Sequence, residues 1–213
     1  MYLRVNEIFY SVQGESTHAG RPCVFVRLTG CPLRCRYCDT TYAFHQGRDM
    51  HADEILAAIA PHHCRLVEVT GGEPLAQAAT PEFLRLLLDQ GYEVLLETSG
   101  ALDIGVVPEG VRTILDLKTP DSGEEARNDW RNLDRLRPGD EVKFVIGSRR
   151  DYEWTRDIVR RHHLGERNTV LVSPEWESDV RQDLAGWLLA DALPARYQIQ
   201  LHKFIWPGVE RGV

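Results

Sequence analysis

Cys31-Pro-Leu-Arg-Cys35-Arg-Tyr-Cys38 places three cysteines in one eight-residue window with the spacing C-x3-C-x2-C. Three thiolates can hold three irons of a four-iron cluster and leave the fourth without a protein ligand, whereas a cluster that only passes electrons takes four cysteines. An open iron can bind a second molecule, so the window points to chemistry. Zinc is the competing reading, but a structural zinc site takes four protein ligands, usually through a second CxxC or a His pair. No second pair follows, and Cys23 and Cys64 stand away from ligand spacing. Tyr37, between the second and third cysteines, either packs on the loop or offers an aromatic face to a planar base beside the open iron.

Outward from this window, short runs rich in Val, Ile, Leu and aromatics predict strands at Val24–Leu28, Leu66–Val69, Tyr92–Leu96, Thr113–Leu117, Val142–Ile146, Val170–Val172 and Tyr197–Leu201. Amphipathic stretches predict helices near Ala52–Ala60, Pro81–Gln90, Tyr152–His162 and Ser178–Leu189. Thr80-Pro81-Glu82 reads as a capped helix start and Gly91 as its stop, while His51 is a poor start for the first helix. Strands alternating with helices imply an α/β fold with a mostly parallel sheet. Seven strands with about four helices suggest an incomplete barrel, in one domain over residues 1–213. The polar and glycine-bearing motifs all fall just after strand ends, which in such a barrel share one rim, the usual place for an active site. The charge-rich stretch Glu124–Arg137 reads as a solvated face.

The bulk composition sets the class. The chain has 213 residues, 43% hydrophobic and 27% charged, with a net charge of -7. That length buries a sizeable core, and the negative balance argues against a broad grip on nucleic acid. No stretch has the length or apolarity of a membrane span or a signal peptide. Five cysteines, an odd number with three clustered, fit a reducing cytoplasm rather than a disulfide framework.

Gly71-Gly72-Glu73-Pro74 follows the cysteines by about 30 residues, and two residues without Cβ let backbone approach a ligand closely. Together, C-x3-C-x-aromatic-C and GGEP resemble the radical S-adenosylmethionine (SAM) superfamily. The N-terminal Glu7-Ile-Phe-Tyr-Ser-Val-Gln13-Gly14-Glu15, then Gly20-Arg-Pro22, Phe25-Val-Arg27-Leu-Thr-Gly30-Cys31, Cys38-Asp39-Thr40, Glu97-Thr98-Ser-Gly100 and Gln200-Leu-His202-Lys203 resemble, within it, the 7-carboxy-7-deazaguanine synthase family. The likeness runs from about residue 5 to the C-terminus. It implies a partial TIM-like barrel of radical SAM type. It also implies a lyase that converts 6-carboxy-5,6,7,8-tetrahydropterin to 7-carboxy-7-deazaguanine with loss of ammonia, for 7-deazapurine (queuosine) biosynthesis.

By this resemblance Cys31, Cys35 and Cys38 hold a [4Fe-4S] cluster. Tyr37 and Asp39 meet SAM, as do Gly72, Lys118, Thr119, Ser173, Pro174, Glu175 and Trp176. Thr40 binds Mg2+, and Val12, Gln13, Gly14, Glu15, Arg27, Thr70, Glu97 and His202 bind substrate. No residue is assigned as a catalytic acid, base or nucleophile. An electron donor such as flavodoxin and a homodimer are implied; nucleic acid and membrane are not. The residues themselves admit plainer readings: Arg27 as a strand-edge charge, Thr40 as a turn residue, Thr70 as the end of a strand, Glu97 as solvated, His202 as packed. An arginine fork suits a substrate carboxylate, and Mg2+ keeps few protein ligands. The loop after the fourth predicted strand, Ser-Pro-Lys in many relatives, reads Lys118-Thr119-Pro120 here, and the long tail leaves a substrate contact at Val213 open. A second enzyme reading is a radical SAM activase that abstracts hydrogen from a glycine of a partner protein. A zinc- or iron–sulfur-stabilised binding module is the non-catalytic alternative.

Overall fold

Residues 1–213 are described by a computed structural model. Strands β1 (Tyr2–Val12), β2 (Pro22–Leu28), β3 (Arg48–His51), β4 (Leu66–Gly71), β5 (Glu93–Thr98), β6 (Arg112–Leu117), β7 (Glu141–Ile146), β8 (Thr169–Pro174) and β9 (Arg196–Tyr197) form one sheet, ordered β3-β1-β2-β4-β5-β6-β7-β8-β9. From β2 through β4 to β9 every pairing is parallel. β1 runs antiparallel to both β2 and β3. The order is linear, so the sheet is an unclosed barrel.

Alternation along each strand separates two faces. Val24, Val26, Val67, Val69, Val94, Leu96, Leu115, Leu117, Val142, Phe144 and Val172 point outward into the main core. There they meet α1 (Ala52–Ile59), α2 (Thr80–Asp89), α4 (Arg149–Arg161) and α5 (Arg181–Asp191) through Ile55, Phe83, Leu87, Ile158 and Leu184. Each such side chain contributes about 1.5–3 kcal/mol on burial, so this face carries most of the stability. The inner face is left a small cluster, Phe9, Cys23, Phe25, Leu66, Leu95 and Ile114, at the N-terminal ends of the parallel strands. One step further along those strands, on the same face, stand Arg27, Glu68, Glu97, Asp116 and Lys143.

No strand pairing closes the barrel. The loop after β1 and the chain after β9 bridge the gap instead: Ser16 N donates to Gln198 Oε1 at 2.9 Å and Leu201 N to Gly14 O at 2.9 Å, while the same loop reaches β7, where Thr17 N donates to Glu141 Oε1 at 3.1 Å.

The seven predicted strands are the seven parallel ones. β1 and β3 were not predicted: polar residues such as Arg4, Asn6, Glu7 and Ser11 in β1, and Arg48, Asp49 and His51 in β3, interrupt the apolar runs that mark the parallel strands. The last predicted strand is corrected: only Arg196–Tyr197 pairs, and Leu201–Ile205 forms the short helix α6. Helix starts also differ. His51 is a working cap, its ring accepting from Asp53 N at 3.4 Å while Glu54 Oε2 accepts from His51 N at 2.7 Å. Thr80 does not cap α2; it lies in the first turn and donates its hydroxyl to Pro74 O at 2.6 Å. Gly91 does end α2, at φ +77°. Glu124–Arg137 is more than a solvated face. It contains α3 (Asn132–Arg135), and it buries Asn128, which accepts from Lys118 N and donates to Lys118 O, both at 2.9 Å.

Candidate active site

One cavity of about 420 Å³ opens at the C-terminal ends of the parallel strands, within the usual range for small-molecule sites. Cys31, Cys35 and Cys38 line it from the loop after β2. This loop is pinned at several points. Leu33 is buried beneath it, Gly30 N donates to Ala43 O at 2.8 Å, Arg36 N to Ser122 O at 2.9 Å and Arg34 N to Glu124 Oε1 at 2.6 Å. Burial pushes all three thiols up, Cys35 to about 11, while the Lys118 ammonium pulls each back. Ligation to a metal would offset that rise, because a coordinating thiol is deprotonated. A four-iron cubane would give each of the three thiolates its own iron.

The glycine turn after β4 packs directly on this loop. A Cβ on Gly72 would lie 2.1 Å from Gly30 O and 3.1 Å from Cys31 Cβ, so only glycine fits. Glu73 N donates to Gly30 O at 2.7 Å. The Glu73 side chain is fully buried and points away from the cavity. It accepts from Leu75 N at 3.0 Å, Thr98 Oγ1 at 2.8 Å and Ser99 N at 2.7 Å. The GGEP and Glu97-Thr98-Ser99 motifs are therefore one locked unit.

Tyr37 stands on the wall with its hydroxyl 3.3 Å from Thr119 Oγ1, and burial raises it to about 12, so the phenol stays neutral. Thr40 Oγ1 donates to Asp39 Oδ1 at 2.9 Å. Asp39 also takes Lys203 Nζ at 2.6 Å; that ammonium outweighs the surrounding protein's upward push and holds the carboxyl below its ordinary range.

On the inner face, Arg27 Nε donates to Glu7 Oε1 at 2.8 Å, and its two terminal nitrogens have no protein partner. The fork is thus held in place and left open toward the cavity. Across from it, buried Lys143 pairs with Glu15, with Glu97 at 2.7 Å and with Asp116 at 3.7 Å. Burial favours the neutral form of Glu15, but Lys143 overrides it and lowers the group; Glu97 is raised by burial despite the same neighbour. Gln13 is engaged on both sides, donating to Glu68 Oε2 and accepting from Glu15 N at 2.7 Å. Thr70 Oγ1 donates to Glu97 Oε2 at 3.4 Å. His202, on α6, presses on Gly14, where a Cβ would stand 2.1 Å from its Nδ1; burial lowers its imidazole, which is neutral at pH 7.

The chain matches the Radical SAM superfamily model over residues 25–163. The chain is 45% identical over 228 residues to the 7-carboxy-7-deazaguanine synthase of Koribacter versatilis, covering 99% of this chain and 100% of the relative. It is 44% identical to that of Chlorobaculum tepidum, covering 99% and 97%. The chain belongs to the 7-carboxy-7-deazaguanine synthase family. Among solved structures, QueE from Escherichia coli shares the fold at TM-score 0.79 and 24% identity, over 95% of both chains. Streptococcus suis SuiB bound to S-adenosylmethionine shares it at 0.54 and 13%, over 79% of this chain and 44% of that one.

As a radical SAM enzyme of this family, the chain uses a [4Fe-4S] cluster and SAM. The three half-buried thiols on one wall, and a glycine cradle with no room for a Cβ, fit that pair. Eighteen of the residues expected from sequence line the cavity: Val12, Gln13, Gly14, Glu15, Arg27, Cys31, Cys35, Tyr37, Cys38, Asp39, Thr40, Thr70, Gly72, Glu97, Lys118, Glu175, Trp176 and His202. Thr119, Ser173 and Pro174 do not. Thr119 is buried behind Tyr37 with its hydroxyl donating to Val145 O at 2.9 Å, and Ser173 and Pro174 are still paired with β7. Val213 also reaches the wall. The sequence reading missed Glu68, Asp116 and Lys143. Each is a charged residue with apolar residues on both sides in its strand, the same signal that singled out Arg27.

Proposed function

We propose that this enzyme is a carbon–nitrogen lyase that converts 6-carboxy-5,6,7,8-tetrahydropterin to 7-carboxy-7-deazaguanine with loss of ammonia. The observation that carries the reading is the anchored but open Arg27 fork facing the same cavity as the cluster thiols. A bidentate guanidinium suits a planar carboxylate, and Glu15 and Glu97 opposite it suit the donor edge of a pterin. Cys31, Cys35 and Cys38 hold the cluster. Tyr37 lies against adenine, and Gly72 with its neighbouring backbone, Asp39, Lys118, Glu175 and Trp176 surround the rest of SAM. Thr119, Ser173 and Pro174 shape these loops from behind.

When bound, the cluster and SAM supply hydrogen-atom abstraction, which falls on C6 of the substrate. The chain's own residues position that carbon and keep water away. Arg27, Gln13, Glu15, Thr70, Glu97 and His202 orient the pterin, with Val12 and Gly14 shaping the wall. Thr40, whose hydroxyl donates to Asp39 and keeps its oxygen lone pairs available, would supply one oxygen to Mg2+. An electron donor such as flavodoxin reduces the cluster, and the working form is a homodimer in the cytoplasm. No helix is long and apolar enough to cross a membrane. A glycyl-radical activase would need to admit a partner's backbone, for which an arginine fork set against paired carboxylates has no use.

The test is to incubate reduced, cluster-loaded protein with SAM, Mg2+ and the carboxytetrahydropterin. A deazaguanine chromophore and released ammonia are expected; SAM cleavage without either product rejects the proposal.

A further inference from the structure

The carboxyl groups of the cavity are not equivalent. Glu97 and Asp116 lie within 3.7 Å of the Lys143 ammonium, which Glu15 approaches more closely still. Asp116 also meets Lys118 at 3.0 Å, and Glu7 holds Arg27 at 2.8 Å. Glu68, in the middle of β4 and only 2% exposed, forms no ion pair, although it stands on the same wall. Its one hydrogen bond is accepted at Oε2 from Gln13 Nε2. The orientation of that amide is fixed, because Gln13 Oε1 accepts from Glu15 N at 2.7 Å. Glu68 Oε1 has no protein partner.

In the substrate-free site the paired carboxyl groups already outnumber the cations. Glu7, Glu15, Glu97 and Asp116 face Arg27, Lys118 and Lys143, four carboxylates to three cations. A buried carboxylate with no cation takes up a proton rather than remain ionised. Burial, with the charges of Glu97 and Glu15, pushes Glu68 well above the ordinary carboxylate range, against the opposing pull of Lys143 and Arg27.

We propose that Glu68 is the protonated carboxyl of this site and a substrate-binding residue, donating from Oε1 to an acceptor atom of the bound heterocycle. The inference rests on the pterin reading above. It deepens that reading by giving the site a neutral donor opposite Glu15 and Glu97, the acceptors paired with Lys143. Carboxyls driven apart by their surroundings take different roles. A pterin carries both edges, a donor amidine and acceptor carbonyl and ring-nitrogen atoms, so the array selects rings having both.

Glu68→Gln and Glu68→Leu decide the matter. Glutamine keeps the pattern, with its oxygen accepting from Gln13 and its N–H aimed into the cavity. Leucine removes the donor. On cluster-loaded enzyme, Leu raises KM for the carboxytetrahydropterin by about tenfold or more, as loss of one buried hydrogen bond requires. Gln recovers most of that loss, while cluster absorbance stays at parent level in both. A Gln variant as impaired as Leu, or a Leu variant with parental KM, overturns the proposal. Infrared spectroscopy of the substrate-free holoenzyme tests the protonation independently of turnover. A carboxylic-acid C=O band lost in Glu68→Gln supports it, and no such band refutes it, whatever substrate the enzyme takes.

Discussion

Replacing Lys143 by Met removes the one cation that Glu15, Glu97 and Asp116 share. The ammonium is 7% exposed, so solvent cannot take its place. Breaking a buried pair by deleting one partner costs about 3–5 kcal/mol. For a chain of this length each kcal/mol lowers Tm by about 2–4 °C, giving a fall on the order of 6–20 °C. The loss has a definite pH dependence. In the parent, Lys143 holds Glu15 below its ordinary value, so that group adds stability above the unfolded carboxylate range and loses it as pH falls through the folded value. In the variant Glu15 loses its cation and Glu97, already raised by burial, rises further. Both then bind more protons folded than unfolded, and stability falls as pH climbs above the carboxylate range. Melting of the cluster-loaded protein, followed anaerobically by tryptophan fluorescence, should show a larger Tm deficit at about pH 8 than at about pH 5. Lys143→Arg should recover part of it. An equal deficit at both pH values, or one below about 1 kcal/mol, would refute the idea that Lys143 holds these carboxylates by charge.

Gly72→Ala drives a methyl into Gly30 O and toward Cys31 Cβ, so iron content and visible absorbance after reconstitution should fall sharply while the far-UV spectrum persists. Arg27→Ala should raise KM for the carboxytetrahydropterin on the order of a hundredfold, from loss of a charge-assisted bidentate contact, and leave substrate-free SAM cleavage intact; unchanged KM would remove Arg27 from the site. Thr40→Val should raise the Mg2+ concentration needed for half-maximal turnover without altering iron content, and an unchanged Mg2+ titration would count against its role in the metal shell. Gly14→Ala should raise substrate KM by displacing His202, with cluster absorbance preserved; a parental KM would show that their contact does not shape the site.

How much was readable without coordinates depended on sequence distance. Cys31, Cys35 and Cys38, the Gly71-Gly72 turn and the seven parallel strands are local patterns, set by side-chain spacing and backbone freedom within a few residues. Arg27 stood out as a charged residue with apolar residues on both sides in its strand; Glu68, Asp116 and Lys143 carried the same mark, but nothing nearby in the chain named their partners. Glu97 and Lys143 are 46 residues apart, and Glu15 and Gln200 are 185 apart. The chain alone therefore determined the cofactor loop, the parallel α/β class and the family. Only the tertiary structure decided which carboxylates share an ammonium, that Glu68 shares none, that Glu73 locks two loops rather than facing a ligand, and that Thr119, Ser173 and Pro174 stand behind the wall. The reason is physical: charge and burial act through space, between strands that the sequence keeps far apart.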